Sequence, residues 1–236
     1  LSLRRQRQMC IRDRPGLIIT MLRLLRSARL SCITLEVYIC WFIDGANITL
    51  AFVAKITVDN KSSALPWQSL AIVFAEAGAI IIALSRTQSD LDKLGKEIKK
   101  IKGKVIKINC DVMNYKDLKE NLNRIKIIDI LVNNAGTNIP EPFDKIKQES
   151  MNYLVDLNLK AAFNVAQLVV KKMLKNKKRG GSIINMSSQL GHVGMAGRNV
   201  YNMTKFGIEG LTKGMGVELA KNNIRAVSYT HLRAHE

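Results

Sequence analysis

The strongest constraint on the fold is an alternation of short apolar runs with amphipathic stretches that begins near Ile48. The runs NITLAFVAKITVD, AIIIALS, KVIKINC and IDILVNN have the composition of strands buried on both faces of a sheet. Between them lie QSLAIVFAEAG, DLDKLGKEIKKIKG and YKDLKENLNRI, which we predict to be helices, the first closed by Gly78. This β-α-β-α-β order predicts an α/β fold with a parallel, doubly wound sheet.

A group of polar residues in the second half of the chain indicates acid-base chemistry. Tyr201 and Lys205 are four residues apart, so they lie on one face of a helix, one turn apart. A phenol loses its proton near pH 10, and a nearby ammonium stabilises the phenolate and lowers that pKa. Ser188, thirteen residues before Tyr201, adds a hydroxyl that can hold a carbonyl oxygen. Together these residues predict proton transfer to or from a C–O group.

Two further segments should bring more polar residues to the same place. The stretch MNYLVDLNLKAAFNVAQLVVKKML predicts a long amphipathic helix that contains Asn158, an unfavourable residue in a helix interior. GGSIINMSS predicts a strand that ends at Ser187 and Ser188, and the spacing to Tyr201 selects Ser188 as the reactive member. We expect helices at about 151–174 and 202–220 to flank a site at the carboxyl edge of the sheet.

In their order and spacing, six segments resemble the classical short-chain dehydrogenase/reductase family, over about Gln68 to Val227. They are AEAGAIIIALSR, INCDV, IDILVNNAG, LVDLNLKAAFNVAQ, GSIINMSS and VYNMTKFGIEGLTKGMGVELA. The resemblance implies a Rossmann-like fold and an NAD(P)(H)-dependent enzyme that interconverts a carbonyl and a secondary alcohol. Its substrate is a small molecule, and its long helices commonly pack against their copies in homodimers or homotetramers.

The resemblance also assigns roles to the polar residues of the second half. Tyr201 gives the proton to the substrate oxygen and Ser188 positions that oxygen. Lys205 lowers the pKa of Tyr201 and binds the nicotinamide ribose, and both Tyr201 and Lys205 are expected to contact the cofactor. Asn158 interrupts its helix and holds a water that links Lys205 to solvent.

Further residues match cofactor contacts of the family. Arg86 stands where a basic residue pairs with the 2′-phosphate of NADP, and no carboxylate occupies the strand end at 84–85, so NADP is expected and NAD is the alternative. Asp111 and Val112 match the position that contacts adenine. The turn that stabilises the sheet and lines the adenosine ribose is matched by Asn133, Asn134, Ala135 and Gly136.

One part of the family pattern is missing. Between the first strand and the first helix the family carries a TGxxxGIG turn, whose glycines let the backbone approach the pyrophosphate. Here the sequence is KSSALPWQSL, in which Lys61, Leu65 and Trp67 stand where the family has glycines. The same segment contains Pro66, which has no backbone N–H. A local reading-frame error is one explanation. The other is a cofactor-deficient, non-catalytic relative with a binding or regulatory role.

The two ends of the chain do not resemble the family. Residues 4–14 and 228–236 resemble sequencing-adapter text read as protein. We therefore expect a non-family extension at 1–46, adapter-like over 1–14, and an adapter-like tail at 228–236. The Rossmann-type domain at 47–227 is then incomplete and C-terminally truncated, without the family's last strand and substrate loop. Arginines and Glu36 interrupt the apolar residues 17–43, so no membrane span is predicted.

Composition leaves a weaker hypothesis open and sets the expected compartment. The net charge of +18 suggests a nucleic-acid-binding module, but the lysines fall on predicted helices without interleaved aromatic residues, so we predict no nucleic-acid partner. Four cysteines form no C-x-x-C pair, so we expect neither disulfides nor a metal site, and a cytoplasmic location. His192 has no carboxylate close in sequence, so we predict that it lines a loop.

Overall fold

The computed structural model describes residues 49–53, 66–175 and 180–230, all of them within one compact unit, Asn47–Leu232. The strands are β1 (Thr49–Val53), β2 (Ile80–Ser85), β3 (Lys104–Asn109), β4 (Ile130–Asn133), β5 (Gly181–Met186) and β6 (Ile224–Tyr229). The helices are α1 (Pro66–Glu76), α2 (Gln88–Lys100), α3 (Tyr115–Asn123), α4 (Gln148–Val155), α5 (Ala162–Lys175) and α6 (Asn199–Leu219). A π-helical turn, Asp156–Ala161, joins α4 to α5.

The described strands form one parallel sheet in the order β3-β2-β1-β4-β5-β6. The order reverses between β1 and β4, which is the topological switch point of a doubly wound fold. The predicted Rossmann-like α/β fold is confirmed. In register, Ser85 pairs with Asn109 and Asn133 pairs with Asn185, so the polar strand ends meet along one edge of the sheet.

The core lies between this sheet and the helices that cover it. Ile82 in β2 and Leu131 in β4 are fully buried, which explains the continuous apolar runs in the sequence. Strand β3 lies at one edge of the sheet and is mostly exposed. Lys104 and Lys107 belong to this strand, and charged side chains on an edge discourage pairing with other chains.

Two boundaries differ from the sequence-based expectation. Helix α1 begins at Pro66 instead of Gln68, because a helix can start at a proline, whose missing N–H would have no intrahelical partner there. Strand β6 continues past Val227, and Ser228 and Tyr229 pair with the end of β5. The first two residues of the expected tail therefore extend the sheet.

Some expectations fall on residues outside the described ranges. They include Lys61 and Leu65 of the glycine-poor turn and the apolar residues 17–43. Among residues 49–53, 66–175 and 180–230, no helix combines the length and apolar character needed to cross a membrane. The same residues hold no group of three or more His, Cys, Asp or Glu side chains that could bind a metal.

Candidate active site

Asn158 lies in the π-helical turn, so the long helix predicted at 151–174 is divided there into α4 and α5. Its side chain is buried and makes three hydrogen bonds. Oδ1 accepts from the Thr137 N–H at 2.8 Å, and Nδ2 donates to the Thr137 carbonyl at 2.8 Å and to Thr204 Oγ1 at 3.2 Å. The Thr204 hydroxyl donates in turn to the Tyr201 carbonyl at 2.8 Å. Asn158 thus ties the turn after β4 to the first turns of α6.

Lys205 follows Tyr201 by one turn of α6 and is buried. Its Nζ lies 5.4 Å from the centroid of the Tyr201 ring and donates to the Met186 carbonyl, at the end of β5, at 2.7 Å. Burial lowers the pKa of Lys205 to about 8, against the charge of Glu209, which raises it. Near neutral pH the side chain is still mostly an ammonium, held between the sheet edge and the tyrosine ring.

The Ser188 side chain interacts with the Tyr201 hydroxyl. Burial raises the pKa of Tyr201, while the hydrogen bond with Ser188 and the positive charge of Arg198 act in the lowering direction. Lys205 Nζ lies over the ring and donates its hydrogen bond to the Met186 carbonyl. The groups that act to lower the pKa of the phenol in this structure are therefore Ser188 and Arg198.

Ser188 begins the short turn that follows β5. Its backbone is extended, and its Oγ accepts a hydrogen bond from the Leu190 N–H at 3.2 Å, capping the 3₁₀ helix Gln189–Gly191. The hydroxyl of the preceding Ser187 is fully buried and has no hydrogen-bond partner among the described residues. The two serines are thus in different environments, and Ser188 is the one whose hydroxyl reaches Tyr201.

The turn after β4 passes close to this group. A Cβ on Gly136 would lie 3.2 Å from Asn158 Oδ1 and 3.9 Å from Lys205 Nζ, so a larger residue here would crowd the Asn158 amide oxygen by a few tenths of an ångström. Ala135, just before it, is partly buried. This close approach places the turn directly beside the Tyr201–Lys205 face of α6.

The side chain of Asn133 forms hydrogen bonds inside the fold. It is buried, and its Nδ2 donates to the Ala162 carbonyl at 2.9 Å and to Asn185 Oδ1 at 3.2 Å. Asn185 Nδ2 donates in turn to Thr212 Oγ1 at 2.9 Å. Both N–H donors of the Asn133 amide are therefore consumed in a buried network that joins β4, β5, α5 and α6. Of the two functions expected for this turn, the side chain of Asn133 performs the stabilisation of the sheet.

The remaining predicted cofactor residues lie on the other side of the switch point. Arg86 directly follows β2 and is exposed, so its guanidinium can pair with an anion. Asp111 follows β3 and accepts from the Met113 N–H at 2.9 Å, an interaction within its own turn. Val112 is buried in the core. Arg86 and Asp111 share the carboxyl edge of the sheet with Ser188, as a dinucleotide site of this fold requires.

His192 directly follows the 3₁₀ helix Gln189–Gly191, and a carboxylate that is remote in sequence lies near it in space, because His192 Nε2 is 3.6 Å from Glu209 Oε1. Glu209 is a buried residue of the site that sequence reasoning missed, together with Thr204, Asn185 and Thr212. The signal for Glu209 was present, since it follows Lys205 by four residues and so shares its helix face.

A tyrosine, a lysine, a serine and an asparagine lie close together at the carboxyl edge of a doubly wound parallel sheet, the edge at which folds of this type bind ligands. Comparison with known proteins identifies the family. A sequence model described as short chain dehydrogenase matches residues 68–230. The chain belongs to the short-chain dehydrogenase/reductase family of oxidoreductases, and the resemblance seen in the sequence is confirmed.

Individual relatives show how far the similarity extends. The 3-oxoacyl-[acyl-carrier-protein] reductase FabG of Thermotoga maritima is 38% identical over 158 residues, which are 65% of this chain and 63% of that protein. Carbonyl reductase [NADPH] 2 of Sus scrofa is 33% identical, covering 64% of this chain and 60% of that protein. A short-chain type dehydrogenase/reductase from Mycobacterium marinum superposes with a TM-score of 0.70 at 28% identity, covering 78% and 73% of the two chains. This chain thus spans less than two thirds of the length of these two curated relatives.

Proposed function

We propose that this protein is an NAD(P)(H)-dependent oxidoreductase that interconverts a carbonyl and a secondary alcohol, with Tyr201 as the acid-base group. The observation that carries the proposal is the contact between the Tyr201 and Ser188 hydroxyls, one helical turn from the buried Lys205. Two hydroxyls that meet at the sheet edge can share one substrate oxygen. The names of two relatives, a 3-oxoacyl reductase and a carbonyl reductase, support a carbonyl substrate.

The residues of the chain account for the movement of the proton. When bound, the nicotinamide cofactor supplies or accepts hydride. Tyr201 donates its proton to the carbonyl oxygen, while the Ser188 hydroxyl holds that oxygen by a second hydrogen bond. In the oxidative direction Tyr201 takes the proton of the alcohol. General acid-base catalysis of this type contributes about 10²–10⁴-fold to the rate.

Lys205 and Asn158 support this chemistry in different ways. We propose that Lys205, whose Nζ lies 5.4 Å from the centroid of the Tyr201 ring, binds the nicotinamide ribose. Both donors of the Asn158 amide are occupied by Thr137 and Thr204. We therefore propose that the Asn158 side chain fixes the turn against α6, and that its backbone in the π-helical turn supports the water through which protons are resupplied.

We propose NADP as the preferred cofactor and NAD as the alternative, because the exposed Arg86 can pair with a 2′-phosphate. The residues that follow β2, β3 and β4 fit a dinucleotide along the carboxyl edge, whereas Pro66 at the start of α1 offers no backbone N–H to its pyrophosphate. Arg86 and Asp111 lie on the adenosine side, with Ala135 and Gly136 between them and the Tyr201–Lys205 pair. The name of one relative, carbonyl reductase [NADPH] 2, supports this preference.

We further propose a cytoplasmic homo-oligomer, a dimer or a tetramer. Large apolar side chains are exposed on α5 and α6, the two helices that the family commonly packs against their copies. These residues are Phe163, Met203, Phe206 and Val217. Exposed apolar groups of this size are characteristic of interaction surfaces when they share one face.

A deuterium-transfer experiment tests the function. NADPH deuterated at the transferred position is incubated with a small ketone and with two proteins, the 236-residue chain and a variant whose residues 61–67 carry a glycine-rich turn. The proposal predicts an alcohol with one deuterium on the carbinol carbon in the variant. A folded variant that binds NADPH but yields no deuterated alcohol would instead support the second candidate, a non-catalytic relative, which the KSSALPWQSL text favours.

A further inference from the structure

Glu209 is a buried charge that the proposed chemistry does not use. It lies one turn beyond Lys205 on α6, and its side chain is 8% exposed. Oε2 accepts a hydrogen bond from the Ser228 hydroxyl at 2.7 Å, while Oε1 accepts none from the described residues. Carboxylates are rarely buried unless they are paired, because removing the charge from water is costly. We therefore expect Glu209 to have a role in the protein that offsets the cost of burying its charge.

The surroundings of Glu209 join three segments of the site. Ser228 belongs to β6, and Glu209 itself belongs to the helix that carries Tyr201 and Lys205. The third segment is the turn that begins at Ser188. A Cβ on Gly191 of this turn would lie 3.1 Å from Glu209 Cγ, and the Gly191 N–H donates to the Ser188 carbonyl at 2.9 Å. The turn that sets the position of the Ser188 hydroxyl thus rests directly on Glu209.

The charge of Glu209 also acts on the site. Its negative charge favours the ammonium form of Lys205, whereas burial of Lys205 favours the neutral amine. On the solvent side, the half-exposed His192 lies 3.6 Å from Oε1, beyond the reach of a good hydrogen bond. Among the described residues, Tyr201 and Glu209 are thus titratable groups that face or act on Lys205, and His192 lies next to Glu209.

We propose that Glu209 is a positioning residue of the active site, which anchors the 188–192 turn to α6 and β6 and supplies the negative charge that keeps Lys205 an ammonium. Its catalytic meaning rests on the proposed function. The anchoring and the charge effect are properties of the folded chain, and both can be measured without cofactor or turnover.

The first test measures Lys205 directly. The ¹⁵Nζ resonance of Lys205, assigned with a Lys205→Met variant, is titrated by NMR in the 236-residue chain. Glu209→Gln removes the charge and keeps the shape of the side chain. The Lys205 titration midpoint in this variant should therefore fall by about one pH unit. Glu218→Gln is the matched control, because Glu218 is an exposed glutamate on the same helix, and its midpoint should not move. Glu209→Asp restores the charge and should recover most of the shift.

An unchanged Lys205 midpoint in a folded Glu209→Gln variant overturns the charge role. Ser228→Ala tests the anchor separately and is available if Glu209→Gln does not fold, because it leaves the charge and removes one hydrogen bond. Amide hydrogen exchange at Gly191 should then be about tenfold faster, and an unchanged rate overturns the anchoring role. Failure of the proposed function would appear as activity retained in Tyr201→Phe and would leave both of these results unaffected.

Discussion

Replacing Asn158 with alanine should destabilise the fold by an amount that the structure allows to be calculated. The substitution removes three buried hydrogen bonds, to the Thr137 N–H, the Thr137 carbonyl and Thr204 Oγ1. At about 0.5–1.5 kcal/mol each, they contribute about 1.5–4.5 kcal/mol. Alanine is the better helix former and returns up to about 0.7 kcal/mol. We expect a net loss of about 1–4 kcal/mol, a large part of the roughly 5–15 kcal/mol stability of a domain.

Urea denaturation followed by circular dichroism measures this loss. Asn152→Ala is the matched control, because Asn152 is exposed on the neighbouring helix α4, and we expect it to change the free energy of unfolding by less than about 0.5 kcal/mol. Equal stability of the Asn158→Ala and Asn152→Ala variants would refute the conclusion that Asn158 ties the turn after β4 to α6.

Three further predictions concern the cofactor and the assembly. The 236-residue chain should show no micromolar binding of NADPH by calorimetric titration, because residues 61–67 lack the glycines that admit a pyrophosphate; a micromolar binding isotherm would contradict this. With a glycine-rich turn at 61–67, NADPH should bind at least about tenfold more tightly than NADH, since a charge-assisted bond from Arg86 is worth about 1.5–3 kcal/mol. Arg86→Ala should abolish the difference, and equal affinities before that substitution would exclude this role for Arg86. By light scattering at micromolar concentration the same variant should be a dimer or a tetramer, and a monomer would argue against the apolar faces of α5 and α6 as the interface.

The sheet could be predicted because its information is local. Each strand is a short apolar run and each helix has its own polarity pattern, so the alternation alone indicates a parallel, doubly wound order. The polarity pattern alone predicted one long helix at about 151–174, and its division at Asn158 was expected only from the family resemblance. The end of β6 could not be predicted from pattern, because Ser228 and Tyr229 join the sheet through pairing with the remote strand β5.

The hydrogen-bond partners of the side chains could not be predicted from the sequence either, because they are also remote along the chain. The Asn133 amide bonds Ala162 and Asn185, which lie 29 and 52 residues away along the chain. Nothing local distinguishes that buried role from a contact with a ribose. Similarly, Lys205 donates to the Met186 carbonyl, 19 residues away, and only the packing of α6 on β5 brings these groups together. Residue identity indicates which side chains can form the site, and long-range packing determines which groups each one contacts.

The central claim is that Tyr201 is the acid-base group, and its removal provides the most direct test. In the variant with a glycine-rich turn, NADPH oxidation by a ketone is compared with and without Tyr201→Phe. Tyr115→Phe serves as the control, because Tyr115 is 41% exposed at the start of α3, far along the chain from the site. The account predicts that Tyr201→Phe lowers kcat by about 10²–10⁴-fold, while Tyr115→Phe has no effect. A Tyr201→Phe variant that retains the kcat of the Tyr115→Phe control would contradict it.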